Sequence, residues 1–405
     1  MLAQDKILFT HGYLHVGNGE TIASASIGIE KGKIVLLKNS LAHTFDPKEW
    51  DTVIHLNGQH VYPGFIAPNS TLGLTEIDAV RATNDFHEVG TFNPQIRSQI
   101  AYNVESNVIS TVKTNGVLFC QPTPRGGIIS GTSSIMACDG WNWEDATIFK
   151  DDGIHVNWPS SYFISEQKEE REEAYRLKVN ELKQFFQEAK NYERTHGTNN
   201  LRFDAMRSCF KGEKRVYFHA NLIQELLDII DFSQQLELAH PVIIGGDEAI
   251  PIANRLKDAK IPLMLNRIHN LPHTEDGAIH ENFTLPFYLQ QKGILFCLQN
   301  EGDMEAMQAR NLPFLAGSAQ AYGLSEEEAI SSITLNTAKI MGIDQQYGSI
   351  EIGKDASLFV SKGNALDMRT NQVSLALIHG KFISLKNHQT ELFLKYSKKY
   401  ESQKK

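Results

Sequence analysis

A loop rich in histidines and carboxylates is the densest group of potential metal ligands in the sequence. His269 and His273 lie four residues apart. The ionisable residues that follow them are Glu275, Asp276, His280 and Glu281. Neutral imidazoles and carboxylates bind zinc, which lowers the pKa of a bound water to about 7 and so creates a hydrolytic nucleophile. Pro272 argues against a regular helix that would present both histidines, so a polar loop without metal is the favoured interpretation.

A second candidate is the glycine-rich segment 121–134, QPTPRGGIISGTSS. Gly126 and Gly131 have the spacing of a phosphate-binding loop, but Thr132 stands where the phosphate-binding lysine should be, which excludes a nucleoside triphosphatase of that type. Backbone N–H groups of this loop, together with Arg125, suit a carboxylate-bearing ligand. A tight turn that needs glycine for positive φ is an equally good explanation. No GxSxG sequence occurs, which removes the commonest serine-hydrolase motif.

Composition restricts the class of protein further. The 405 residues carry 48 acidic and 39 basic side chains, a net charge of −9, which disfavours a partner such as nucleic acid or an anionic membrane. Four scattered cysteines without a CxxC pair predict buried thiols rather than disulfides or a thiolate zinc site. No run of 18 apolar residues and no intact signal peptide is present, so the location stays open between the cytoplasm and export with a removed signal.

The chain is β-rich at both ends and alternates strand and helix patterns between them. Such alternation favours a parallel (β/α)₈ TIM-like barrel of the α/β class, over residues 62–346. Residues 1–61 and 347–390 are predicted to form one small composite β-sandwich from both termini, and residues 391–405 a polar tail. His11 and His15 lie in this sandwich and are expected at its surface.

A highly charged stretch over residues 166–196 is predicted to be a helical insert on the barrel surface. The apolar residues expected to anchor it are Ala174, Leu177, Leu182, Phe185 and Phe186.

Several motifs resemble the amidohydrolase superfamily, and most closely its imidazolonepropionase-like branch. They are, in order, Gly19-Glu20, Ala25-Ser26-Ile27, Lys31-Gly32-Lys33-Ile34, Val61-Tyr62-Pro63-Gly64-Phe65-Ile66, Thr334, Asn336, Ala338, Gly342, Gly348-Ser349-Ile350-Glu351 and Gly353-Lys354-Asp355-Ala356. The resemblance covers nearly the whole chain apart from the charged insert. It implies the same barrel and composite domain, and hydrolysis of C–N bonds in small amide-like or cyclic substrates with one or two divalent metals.

The metal ligands of that family are mostly replaced here. The family pattern places an HxH pair after the first strand, where this chain has Asn69 and Thr71. The fifth-strand histidine is present as His219, and the sixth-strand histidine is replaced by Gly245. No aspartate stands at the expected turn after the eighth strand, where Glu301 and Asp303 follow out of register. Amide and hydroxyl oxygens are weak ligands for zinc, so no metal cofactor is expected.

We therefore expect a barrel protein that has lost hydrolysis and binds a small anionic molecule. The candidate ligand-binding residues are Asn69, Thr71, Arg125, His219, His269 and His273. One alternative is an active hydrolase with a displaced or single zinc or manganese ion held by His219, His269 and His273. Another is a scaffold subunit of a catalytic paralogue, contacted through the charged helix. A homo-oligomer is compatible with all three.

Overall fold

The computed structural model describes residues 6–162, 168–192, 199–272 and 277–403. Its β-strands are β1 Lys6–His15, β2 Thr21–Glu30, β3 Lys33–Asn39, β4 Thr52–His55, β5 His60–Pro63, β6 Phe65–Ser70, β7 Val117–Pro122, β8 Ile129–Ala137, β9 Thr147–Asn157, β10 Arg215–Ala220, β11 Pro241–Gly245, β12 Leu263–Leu265, β13 Phe296–Leu298, β14 Leu358–Ser361, β15 Val373–Ile378 and β16 Lys381–Phe382. Its α-helices are α1 Asn107–Val112, α2 Lys168–Asn191, α3 Leu201–Phe210, α4 Ile223–Leu236, α5 Ala253–Ala259, α6 Glu281–Lys292, α7 Glu305–Gln308, α8 Leu312–Ala321, α9 Glu326–Ser332, α10 Leu335–Met341 and α11 His388–Gln403.

The central sheet runs in the order β6-β7-β8-β9-β10-β11-β12-β13 and forms a nearly closed barrel with helices around it. This confirms the predicted α/β barrel class. The expectation of an all-parallel barrel is wrong at one strand, because β8 is antiparallel to both β7 and β9. Only residues 123–128 separate β7 from β8, and residues 138–146 separate β8 from β9. Parallel pairing needs a crossover of a dozen or more residues, so these short connections form hairpins instead.

Strands β6, β7 and β11 are buried along their whole length, as expected for strands covered on both faces. Polar side chains nonetheless occur near the carboxyl ends of several barrel strands. Asn69 and Gln121 are fully buried there, and His219 stands one residue before the end of β10. The carboxyl ends of barrel strands form the face on which the active sites of such barrels are built.

The β-domain combines both ends of the chain, as predicted. Its sheet has the order β16-β15-β14-β5-β1-β2-β3, with β4 paired to β1. The β2–β3 edge is also joined to the segment before β14. The Ile34 N–H donates to the Lys354 carbonyl at 3.0 Å, and the Ala356 N–H donates to the Gly32 carbonyl at 2.9 Å. The sheet therefore curls around a hydrophobic core of its own, which includes Phe9.

Helix α2 lies along the barrel with an apolar stripe turned inward. The buried members of this stripe are Tyr175, Val179, Leu182, Phe186 and Ala189. Their spacing of four and three residues places them on one face of a helix. Leu182 and Phe186 are confirmed as anchors, whereas Leu177 is 64% exposed and Ala174 is exposed. These two predictions are wrong because residues 174 and 177 lie outside the stripe that the helical period defines.

The expectation that His15 lies at the surface is also wrong, although His11 is exposed. His15, the last residue of β1, is fully buried and contacts Glu327 of α9. Its Nδ1 lies 2.6 Å from the Glu327 carboxylate, and its Nε2 lies 3.0 Å from Nδ1 of His60. The ring also stacks on Tyr62, with the ring centroids 4.3 Å apart.

All four cysteines are buried free thiols, as the sequence predicted. Among the helices of the described ranges, none combines the length and apolar character needed to cross a membrane.

The stripe on α2 makes a direct prediction about stability. Phe186→Ala should lower the free energy of unfolding by about 3–5 kcal/mol, because it opens a cavity in a packed core. Leu177→Ala, on the same helix but exposed, should change it by less than about 0.5 kcal/mol. Urea denaturation followed by circular dichroism measures both. Equal effects of the two substitutions would contradict the packing described for α2.

Candidate functional site

Asn69 stands one residue before the end of β6, and its backbone and side chain both make hydrogen bonds at the mouth of the barrel. Its backbone has φ of +46°, a left-handed conformation that asparagine tolerates better than most residues. Its N–H donates to Gln121 Oε1 at 3.0 Å, and its side-chain Nδ2 donates to Glu301 Oε2 at 2.7 Å. Its Oδ1 accepts a hydrogen bond from Arg125 Nη1 at 2.7 Å. Both ends of this amide are therefore engaged by charged groups.

Arg125, in the connection between β7 and β8, places a cation at the same position. Its Nη2 donates to the Asn69 carbonyl at 3.0 Å and to both carboxylate oxygens of Glu305 at 3.1 Å. Burial alone would lower the pKa of the Arg125 guanidinium, but the charges of Glu305 and Glu301 raise it above its ordinary value. The guanidinium is thus a permanent positive charge between β6 and the loop after β13.

Glu301 is the carboxylate that faces this cation. Burial alone would raise its pKa, but the charges of Arg125 and His219 and the hydrogen bonds from Asn69 and Gln299 lower it below its ordinary value. Glu301 is therefore ionised at neutral pH.

A chain of hydrogen bonds runs from His219 into the barrel interior. Nε2 of His219 lies 3.1 Å from Nδ1 of His155 on β9, and Nε2 of His155 lies 2.9 Å from Ser133 Oγ on β8. Ser133 Oγ donates to Oδ1 of Asp152 at 2.8 Å. Ser133, His155 and Asp152 are fully buried, whereas His219 is half-buried. The chain therefore connects a buried carboxylate to a histidine at the mouth.

Both histidines of this chain are neutral near pH 7. Burial lowers the pKa of His219 to about 4, against the attraction of Glu301 and with a further lowering by Arg125. The pKa of His155 is lowered well below its ordinary value by burial and then by His219 and Arg125. Burial likewise raises the pKa of Asp152, opposed by hydrogen bonds from Tyr217 and Ser133.

A cavity of about 320 Å³ opens beside these groups. Its walls are formed by Asn157, Trp158, Ser160, His219, Ala220, Asn221, Glu225, Ile244, Asn266 and Glu301. Most of them follow β9, β10, β12 and β13, so the cavity lies at the carboxyl ends of neighbouring strands.

Of the residues proposed from the sequence, the fold brings Asn69, Arg125 and His219 to this mouth, and of these three only His219 lines the cavity. Thr71 is buried just beyond β6 and does not line the cavity. His269 lies apart, with Nε2 2.7 Å from Ser318 Oγ and its ring against Phe283. His273 lies outside the described residues.

Sequence reasoning did not single out Ser133, Asp152 and His155. The available signal was weak: polar residues inside otherwise apolar strands, at positions that a barrel buries. Glu301 was visible in the sequence only as a carboxylate out of register with the family pattern, yet its side chain reaches Asn69.

The residues present do not fit the metals of related barrels. Within the described ranges, no group of three or more His, Cys, Asp or Glu side chains is arranged to hold an ion. At the sixth-strand position, a Cβ added to Gly245 would lie 2.3 Å from Asn221 Oδ1 and 2.4 Å from the Ala220 carbonyl, so a histidine does not fit. At the first strand, the Asn69 oxygen is bonded to the Arg125 cation, which would repel a divalent ion.

The model of the amidohydrolase family matches residues 168–383, more than half of the chain, so this protein belongs to the amidohydrolase family. No functionally curated protein matches the sequence.

Among solved structures, an amidohydrolase from Thermotoga maritima MSB8 superposes with a TM-score of 0.76 at 20% identity, covering 93% of this chain and 99% of that one. Molinate hydrolase gives 0.57 at 14% identity, with coverages of 95% and 96%. A zinc-bound adenosine deaminase from Xanthomonas campestris gives 0.55 at 13% identity, with coverages of 98% for both chains. At these identities the similarity establishes the fold alone.

The buried charges at the mouth predict a large cost for removing the cation. Arg125→Met should lower the free energy of unfolding by roughly 3–5 kcal/mol, because it leaves Glu301 and Glu305 buried beside no positive charge. Arg369→Met removes an ion pair whose guanidinium is 85% exposed and should leave the unfolding midpoint unchanged. Urea titrations measure both. If Arg125→Met were as harmless as Arg369→Met, the mouth would not depend on this cation.

The neutral state of His219 predicts a specific pH dependence of stability. Its pKa is about 4 in the folded chain against an ordinary value of 6.5. Between these values the unfolded chain binds more protons, so the free energy of unfolding should fall as pH falls from 6.5 towards 4. His155 adds to the same trend, since its pKa is also lowered. Urea titrations at pH 7 and pH 5 should show a smaller decrease for His219→Gln than for the parent. An identical decrease would contradict a neutral His219.

Proposed function

We propose that this member of the amidohydrolase family uses the mouth of its barrel to bind a small molecule without a metal ion and without hydrolysing it. The observation that carries the proposal is the Arg125 guanidinium, which is hydrogen-bonded to Asn69 where the family pattern has a metal-binding histidine. A fixed cation held by two carboxylates replaces the charge that a metal would bring. Relationship to the imidazolonepropionase-like branch remains a prediction from the sequence motifs.

The available bases support binding rather than hydrolysis. A general base works best when its pKa lies near the operating pH. The pKa of His219 is about 4, and that of Glu301 is lowered, so both are weak proton acceptors at neutral pH. Without a metal to acidify water, neither group alone generates hydroxide effectively. The same groups are well suited to holding a ligand through hydrogen bonds.

The charges of the cavity walls favour a neutral or cationic ligand over the anionic one expected from the sequence. Arg125 was the expected anion partner, but its guanidinium is already bonded to Glu305 and Asn69. Glu225 and Glu301 contribute carboxylates to the walls. Glu225 is committed locally, since its two oxygens accept from the N–H groups of Ser161 and Asn221. The ionised carboxylate of Glu301 therefore gives the cavity wall a negative charge.

The two alternatives gain less support. A displaced metal site needs His219 and His269 together, but His269 is bonded to Ser318 and does not line the cavity with His219. A scaffold role through α2 would use only its outer face, because its apolar stripe packs into the core of this chain. A homo-oligomer remains compatible with the ligand-binding proposal.

Metal titration of the full chain tests the proposal. Isothermal titration calorimetry with Zn²⁺ or Mn²⁺ should show no stoichiometric binding that His219→Ala or His273→Ala removes. No metal-dependent hydrolysis of amide substrates should appear in the same preparations. His43→Ala, at an exposed position, is the matched control for histidines that bind metal adventitiously.

The opposite result would contradict the proposal. One equivalent of metal that His219→Ala abolishes and His43→Ala retains, accompanied by amide hydrolysis, would establish the displaced-metal hydrolase instead.

A further inference from the structure

We infer that Asp152, Ser133 and His155 fix the tautomer of His219, which leaves the Nδ1 lone pair of His219 as a hydrogen-bond acceptor for a ligand in the cavity. The cavity then selects a small nitrogen compound bearing several N–H donors, such as an amidinium, a primary ammonium or a primary amide. This inference deepens the proposed function and rests on it for the existence of a ligand. Ser133 and His155 are positioning residues, because they act through His219.

The direction of the chain starts at Asp152. Three groups donate to Asp152: Gln121 Nε2 at 2.7 Å, the Tyr217 hydroxyl at 2.6 Å and Ser133 Oγ at 2.8 Å. Burial raises the pKa of Asp152, but these three hydrogen bonds favour the ionised form, which only accepts hydrogen bonds. The Gly153 carbonyl lies 3.3 Å from Ser133 Oγ and is a further acceptor for the same hydrogen. With either acceptor, the single hydroxyl hydrogen of Ser133 points away from His155.

The tautomers of both histidines follow from that hydrogen. Ser133 Oγ can only accept from Nε2 of His155 at 2.9 Å, so this nitrogen carries the hydrogen. Nδ1 of the same neutral ring then has a lone pair, which accepts from Nε2 of His219 at 3.1 Å. A neutral imidazole has one N–H, so Nδ1 of His219 is left as an acceptor.

The rest of the wall is also rich in acceptors. Glu301 contributes an ionised carboxylate. The amide nitrogen of Asn157 donates to the Gly127 carbonyl at 2.7 Å, and that of Asn266 donates to Asn221 Oδ1 at 2.8 Å. The N–H groups of these two wall amides are thus already hydrogen-bonded within the protein. They lie beside the lone pair of His219 and the negative charge of Glu301. A ligand that supplies N–H donors and no negative charge complements this arrangement.

The tautomer can be read directly in the full chain. In ¹⁵N-histidine NMR, the His219 signals, assigned by their loss in His219→Gln, should show hydrogen on Nε2 and a bare Nδ1. Ser133→Ala should weaken this preference, whereas Ser134→Ala, which removes a fully buried hydroxyl from the neighbouring position of β8, should leave it unchanged. Hydrogen on Nδ1 in the parent protein would overturn the fixed tautomer, whatever happens to the variants.

The ligand class is tested with three probes of one shape: benzamidine, benzamide and benzoate. Calorimetry and thermal shift should show binding of benzamidine and benzamide, no binding of benzoate, and at least a tenfold loss of affinity in Ser133→Ala but not in Ser134→Ala. Binding of benzoate alone, or of none of the three, would overturn the ligand class. Metal-dependent hydrolysis of benzamide would instead overturn the proposed function, while the NMR result on His219 would stand independently.

Discussion

The guanidinium of Arg125 is the charge around which the mouth of the barrel is arranged. It joins β6, through Asn69, to the loop and helix that follow β13, through Glu305, and its field keeps Glu301 ionised. A buried cation is tolerated only when carboxylates and hydrogen bonds surround it, so the neighbouring side chains are constrained together. The cation, the two carboxylates and Asn69 therefore form one charge-balanced group at the mouth of the barrel.

The opposite side of the mouth depends on short connections in the barrel. Because β8 enters as a hairpin strand, it pairs antiparallel with β9 and sets Ser133 beside Gly153 in register. This pairing brings the Ser133 hydroxyl between Asp152 and His155. A crossover helix in place of either short connection would have removed this contact. The antiparallel strand is thus the structural origin of the hydrogen-bonded chain that ends at His219.

The charges on one side of the mouth influence the protonation of the histidines on the other side. Arg125 contributes to keeping His219 and His155 neutral, while Glu301 balances the cation. The result is a small cavity whose wall holds a neutral His219 beside the carboxylates of Glu225 and Glu301. Under the proposed function, such a site recognises a ligand by its pattern of hydrogen-bond donors and acceptors and does not activate water.

The sequence by itself determined the barrel and the composite β-domain, because short motifs and strand–helix alternation are local properties. The replacement of metal-binding histidines at Asn69, Thr71 and Gly245 stays a prediction from the family resemblance. The sequence did not reveal that Glu301 reaches Asn69, since 232 residues separate them along the chain. Nor could it show that Ser133 joins His155 to Asp152, because that contact depends on the direction of β8. Only the tertiary structure decided these pairings, since closing a barrel brings distant strand ends together and buries the groups that must then satisfy one another.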